Sequence, residues 1–84
     1  MVSYLILCRS LTYAQRTAGI LEQSGIKGRV ARLPRSIARD GCGYCVRITE
    51  RTLESALKAL REAGIGPRQV YADHGDGTYG EVPL

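Results

Sequence analysis

The stretch "DGCGYCVRI", residues 40–48, places Cys42 between two glycines and a second thiol, Cys45, three positions on. Cys8 is the only other cysteine. A C-x-x-C pair serves three chemistries: dithiol–disulfide exchange, transfer of a group carried on a thiolate sulfur, and half of a tetrahedral metal site. An odd number of cysteines argues against a disulfide framework. The N-terminal "MVSYLILCRS" has no basic segment before its short apolar run, unlike an export signal. No apolar stretch is long enough to span a membrane. The expectation is a cytoplasmic protein with reduced thiols, where chemistry at Cys42 and Cys45 is the question.

The elements that must position these thiols follow from patterning. Val2 to Cys8 is an apolar run that predicts a strand. Ser10 and Thr12 are N-cap candidates for a helix reaching about Ser24, with Thr12 and Gln15 spaced as a capping box and Gly25 as the stop. Ala14, Ala18 and Leu21 fall on one face of it. "GRVARL" (28–33) predicts a second strand, "PRSIARDGCG" (34–43) a loop, and the alternating "YCVRIT" (44–49) a third strand. Thr49 can cap a second helix whose Leu53, Ala56, Leu57 and Leu60 follow the i, i+3, i+4, i+7 pattern up to Gly64. "RQVYA" (68–72) predicts a fourth strand. "LEQSGIKGRV" (21–30) and "LREAGIGPRQV" (60–70) echo one another as helix end, glycine, isoleucine and strand. The order βαββαβ, with right-handed crossovers, gives an α+β, ferredoxin-like fold: a four-stranded antiparallel sheet with two helices on one face. Residues 1–72 form this domain, and 73–84 a C-terminal tail or short hairpin whose Asp-Gly suits a tight turn.

This topology brings the end of the first strand (Cys8), the start of the third (Cys42, Cys45), the 34–43 loop and the first helix N-terminus to one pole. Arg9, Arg35 and Arg39 lie nearby in sequence. The helix N-terminus and the guanidiniums would lower a thiol's pKa there. Gly41 and Gly43 would admit a partner's backbone close to Cys42. With Tyr44, Val46 and Ile48 turned to the helices, Cys45 and Arg47 fall on the uncovered face, and Cys42 is the more accessible thiol.

The order strand, helix ending "SGI", basic strand, Pro-Arg loop, "CG" and Arg-bearing strand resembles the small selenium/sulfur (Se/S) carrier protein-like family. The similarity runs over roughly residues 3–72, mainly "LPRSIARDGCGYCVRI" and the "AGI" ending of the second helix. The family's Cys-Gly falls on Cys42 and Gly43, and its Pro-Arg on Pro34 and Arg35. Cys45 and the residues after Ala72 depart from the family pattern. The resemblance implies a persulfide or selenosulfide held on Cys42, with a cysteine desulfurase or a selenium-pathway protein as donor or acceptor. Cys45 would resolve or release the cargo. Arg35, Arg39, Gly43 and Cys8 would complete the binding pole. The resemblance implies a carrier before a stand-alone enzyme, and no cofactor.

Other readings use the same residues. "CGYC" has zinc-knuckle spacing but supplies only two of four ligands, with Cys8 a candidate third. His74, the only histidine, falls at the opposite pole. A homodimer could form through an exposed sheet face bearing Tyr4, Ile6 and Cys45. The charge of +4, with ten of the twelve basic residues arginine, is dispersed over 84 residues. The third strand lacks the aromatics of an RNA-binding sheet, although Tyr4 and Tyr71 could contribute, so nucleic acid is not the expected partner. The carboxylates show no pairing for acid–base catalysis, and the glycines at 25–28 and 64–66 follow helices instead of opening them, unlike a phosphate loop.

Overall fold

In the computed structural model, which describes residues 2–38 and 43–84, the apolar run "SYLILC" forms β1 (Ser3–Cys8). Helix α1 (Leu11–Gln23) follows at once. Ser10 is its N-cap, its hydroxyl accepting the Tyr13 N–H at 3.1 Å, so Thr12 lies inside the first turn and the Thr12–Gln15 capping box does not form. Strands β2 (Arg29–Arg32) and β3 (Tyr44–Thr49) come next. Thr49 stands at the N-cap of a 3-10 turn over Glu50–Thr52, without a side-chain capping bond, and α2 itself runs Leu53–Glu62.

Both helices end by the same device, which explains the sequence echo. After α1, Gly25 adopts φ +77°, its N–H reaches the Glu22 carbonyl, and the Ile26 N–H donates to Leu21 O at 2.8 Å. After α2, Gly64 adopts φ +79°, and the Ile65 N–H donates to Leu60 O at 3.0 Å. This is the Schellman arrangement, in which only glycine enters the left-handed position without strain and the following apolar residue closes over the helix end.

β4 (Val70–Asp73) and β5 (Tyr79–Glu81) complete one antiparallel sheet in the order β2-β3-β1-β4-β5. The sheet therefore has five strands instead of the expected four. The fifth arises because Asp73 and Asp76 build the reversal. Asp73 Oδ1 accepts the Gly75 N–H at 2.9 Å, and Asp76 Oδ1 accepts the Thr78 N–H at 3.0 Å. The Val82 N–H then donates to Val70 O at 2.8 Å.

Alternation along the strands sorts the side chains. Ile6, Cys8, Val46, Ile48 and Val70 pack with Ala14 and Leu21 of α1 and Ala56 and Leu60 of α2 in one core, so both helices cover the same face. Burying a leucine such as Leu21 or Leu60 stabilises by about 2 kcal/mol. Ile6 lies in this core and Tyr4 packs against it. The expectation that Tyr4 and Ile6 share an exposed face with Cys45 is thus corrected. Adjacent residues on a strand point to opposite faces, so Leu5 and Leu7 are the β1 residues on the Cys45 side. Among the described residues, no helix is long and apolar enough to cross a membrane.

Candidate functional site

The register fixes which chain ends meet. Cys8 pairs with Tyr44 and Leu7 with Cys45 across β1–β3, while Ile6 pairs with Val70 across β1–β4. The end of β1, the starts of α1, β3 and β4, and the loop leaving β2 therefore share one end of the sheet. Of the residues predicted for the site, Cys8, Arg35, Gly43 and Cys45 are described. Arg39, Gly41 and Cys42 lie outside the described residues.

Cys8 and Cys45 share this pole but not a face. Cys8 is buried beneath α1; its thiol donates weakly to Ile6 O at 3.6 Å and lies 3.9 Å from Thr17 Oγ1. Cys45 is 0% exposed and sits apart from the helix-side core, its thiol directed at Arg32 O at 4.0 Å. Burial raises the Cys8 pKa, offset in part by the Thr17 hydrogen bond. Burial also pushes the Cys45 thiol up to about 11, with the Arg47 charge opposing and the Cys8 thiol adding to the rise. The expected lowering at this pole is therefore reversed for both described thiols: loss of water around a thiolate outweighs the nearby cations. Cys8 is also no third ligand beside Cys45, because the strand pleat sends the two sulfurs to opposite sides of the sheet. Among the described residues, no group of three or more His, Cys, Asp or Glu side chains is placed to hold a metal.

Gly43, next to Cys42 in sequence, has φ +153°, and its carbonyl accepts the Leu33 N–H at 3.2 Å. A Cβ there would stand 3.1 Å from Leu33 Cδ2. The chain's own path into β3 thus calls for glycine, independently of any approaching partner. Pro34 opens a turn in which its carbonyl accepts the Ile37 and Ala38 N–H groups at 3.1 and 2.9 Å. Arg35 is exposed on that turn.

Two arrangements depend on strand order, one at each end of the sheet. Arg47, on the Cys45 side of β3, reaches across β1 and donates to both Ser3 Oγ and Asp73 Oδ2 at 2.7 Å. Only the strand order could have revealed this, since the three residues lie on β3, β1 and β4. The thiol pole, at the other end from this bridge, carries Arg9, held over the Tyr13 ring at 5.2 Å, Arg32, over the Tyr44 ring at 5.8 Å, and Arg68. Arg9 is a sequence neighbour of Cys8; Arg32 and Arg68 arrive through strand order. The arrangement is a cationic end of the sheet with a buried, neutral thiol, Cys45, just inside it.

The model of the protein family described as "Putative Se/S carrier protein-like" matches residues 3–72. No curated protein and no solved structure matches the chain.

Proposed function

The chain belongs to the Se/S carrier protein-like family, and from that premise we propose that it carries sulfur or selenium on Cys42 and hands it to a partner protein in the cytoplasm. The observation that carries this reading is the family match, which spans both β1 and the whole 34–49 thiol segment. The proposed fold is ferredoxin-like βαββαβ with β5 added at the β4 edge. The protein acts as a carrier, not as a stand-alone enzyme, and a cysteine desulfurase or a selenium-pathway protein serves as donor or acceptor.

Loading moves one sulfur atom between thiols. The Cys42 thiolate attacks the terminal sulfur of the donor's persulfide, the donor leaves as its thiol, and Cys42–S–SH forms. In release, the Cys45 sulfur attacks the Cys42 sulfur. The Cys42–Cys45 disulfide forms, hydrogen sulfide departs (hydrogen selenide for a selenium cargo), and a dithiol reductant restores both thiols. The raised pKa of Cys45 suits such a sequence. An ionised neighbour would discharge the cargo as soon as it was loaded, whereas a buried, protonated thiol stays out of the reaction until the β3 start opens. Arg35 and Arg39 support the thiolate or the docking partner.

The test is intact mass spectrometry of the protein after incubation with a cysteine desulfurase and cysteine. The expected result is a gain of one sulfur atom that is absent in Cys42→Ser and retained in Cys45→Ser. No gain, or a gain that survives Cys42→Ser, would overturn the reading.

A further inference from the structure

At the end of the sheet that holds the end of β1 and the start of β4 lies a cleft of about 170 Å³ lined by Leu7, Arg9, Tyr13, Gly66, Pro67 and Arg68. Among the described residues, its lining includes two arginines and no acidic side chain. Three elements hold it in shape. The Leu7 N–H donates to Gln69 O at 3.1 Å, fastening the 66–69 segment to the end of β1. Pro67 restricts the backbone immediately before Arg68. The Arg9 guanidinium lies over the Tyr13 ring, and Tyr13 packs against the core. A guanidinium stacked in this way keeps its in-plane N–H donors free at the ring edge.

Among the described residues neither arginine is in an ion pair; the one ion pair there joins Arg47 to Asp73. A second basic depression, lined by Lys27, Arg29 and Arg47 among others, lies toward the opposite end of the sheet. Its Arg47 is already committed to Asp73 at 2.7 Å. The Arg9–Arg68 cleft therefore brings two guanidiniums to one space, neither of them in an ion pair among the described residues. Arginine forks match the oxygens of carboxylates and phosphates, and binding between two of them is stronger and more directional than to a single charge. Size narrows the ligand further, because pockets for drug-sized molecules run to about 300–1,000 Å³. The space suits an inorganic oxyanion or a molecule of about amino-acid size.

We propose that the Arg9–Arg68 cleft is a binding site for a small oxyanion, a carboxylate or phosphate group. This goes beyond the carrier reading and does not depend on it, since no thiol takes part. The test uses the full chain, with backbone amide NMR titrations of inorganic phosphate and of acetate, each at ionic strength held constant with sodium chloride. The expected result is saturable shifts at Arg9, Tyr13, Gly66 and Arg68 with at least one of the two anions. Saturation by phosphate alone identifies a phosphate site, and by acetate alone a carboxylate site. Arg9→Gln and Arg68→Gln should each weaken binding by about tenfold or more, the scale of a lost charge-assisted hydrogen bond. Arg29→Gln removes the same charge in the other depression and should leave the affinity unchanged. Both cleft arginines are surface side chains, so their variants are expected to fold, which the dispersion of the same spectra reads out. No saturable shift with either anion would overturn the proposal. So would an Arg29→Gln loss equal to that of the cleft variants, or affinity retained in both cleft variants.

Discussion

Cys8 and Cys45 stand one position out of register on paired strands, Cys8 opposite Tyr44 and Cys45 opposite Leu7, so their sulfurs lie on opposite faces of one sheet. Each is buried, one under α1 and the other on the far side, and each is held as a neutral thiol. A chain with three cysteines thus has two whose surroundings suppress reactivity. Free thiols so placed behave as small apolar side chains until the structure opens. In the carrier reading proposed above, Cys42 is accordingly the loading thiol, and Cys45 acts only once it is uncovered.

Alkylation should show this directly. At about pH 8, a thiol with a pKa near 11 is ionised about a hundredfold less than one near 9, and alkylation proceeds through the thiolate. Iodoacetamide labelling of the native protein, mapped by peptide mass spectrometry, should therefore be slow at Cys8 and Cys45. Labelling in urea should equalise them with an ordinary cysteine. The factor for Cys45 should be about a hundredfold from ionisation alone, with burial adding to it. Fast native labelling of Cys45 would show that the start of β3 opens readily.

The same shift carries a pH signature. The native Cys45 thiol ionises near 11 and an unfolded one near 9.0. Between these values the unfolded chain binds fewer protons than the folded one, so stability falls as pH rises. The contribution is fully present below about 9 and is lost as pH passes through the native value. Urea unfolding across this window should show a shallower decline for Cys45→Ala than for the parent, since the two proteins differ in this one group. Parallel slopes would mean that Cys45 is already solvated in the folded state.

How far the sequence discloses this arrangement depends on the element. The helix ends are legible, because "LEQSGI" and "LREAGI" each carry the glycine and the isoleucine that a Schellman closure requires. The facing of β3 is legible too, since "YCVRIT" alternates cleanly between faces. β1 is not: "YLILC" is apolar at every position, as befits a central strand buried on both sides, and its pattern contains no information about which residues face the helices. Tyr4 and Ile6 are misassigned for that reason. β5, "YGE", has no pattern of its own and exists because Asp73 and Asp76 fold the chain back onto β4. The shared thiol pole follows from topology alone. The burial of Cys45 and the cleft of Arg9 and Arg68 depend on residues distant in sequence, beyond the reach of any local pattern.

The Arg47–Asp73 bridge ties β3 to β4 across β1, with Ser3 accepting a second bond from the same guanidinium nitrogen. Arg47's hydrogen bond is the main cause holding Asp73 below the usual carboxylate range, with the Gly75 N–H adding to it. A depressed native pKa contributes stability above the unfolded value of about 4, lost as pH falls through the native one. Asp73→Asn should lower stability at neutral pH by up to about 1 kcal/mol, modest because the Arg47 side chain is 37% exposed. The gap to the parent should narrow between neutral pH and a pH below about 4, where Asp73 begins to take up its proton. Urea unfolding at the two pH values measures it, and a constant gap would trace the effect to packing instead of charge.

Two glycines should respond to alanine with opposite signs. At Gly28, leading into β2, a Cβ would meet Val46 Cγ1 at 2.7 Å and Leu21 Cδ1 at 3.2 Å. Both neighbours are fully buried, so neither has open space to move into. Forcing a methyl group into such a contact shifts core side chains off their preferred rotamers and costs about 1–3 kcal/mol. Gly19 lies within α1 on its exposed side, and a Cβ there meets nothing within 4 Å. Alanine at that position restricts the unfolded chain and favours the helix, stabilising by about 0.5–1 kcal/mol. Equilibrium urea unfolding of Gly28→Ala and Gly19→Ala should move the midpoint down and up respectively. A neutral Gly28→Ala would mean that the α1–β3 contact beneath β2 is looser than these distances require.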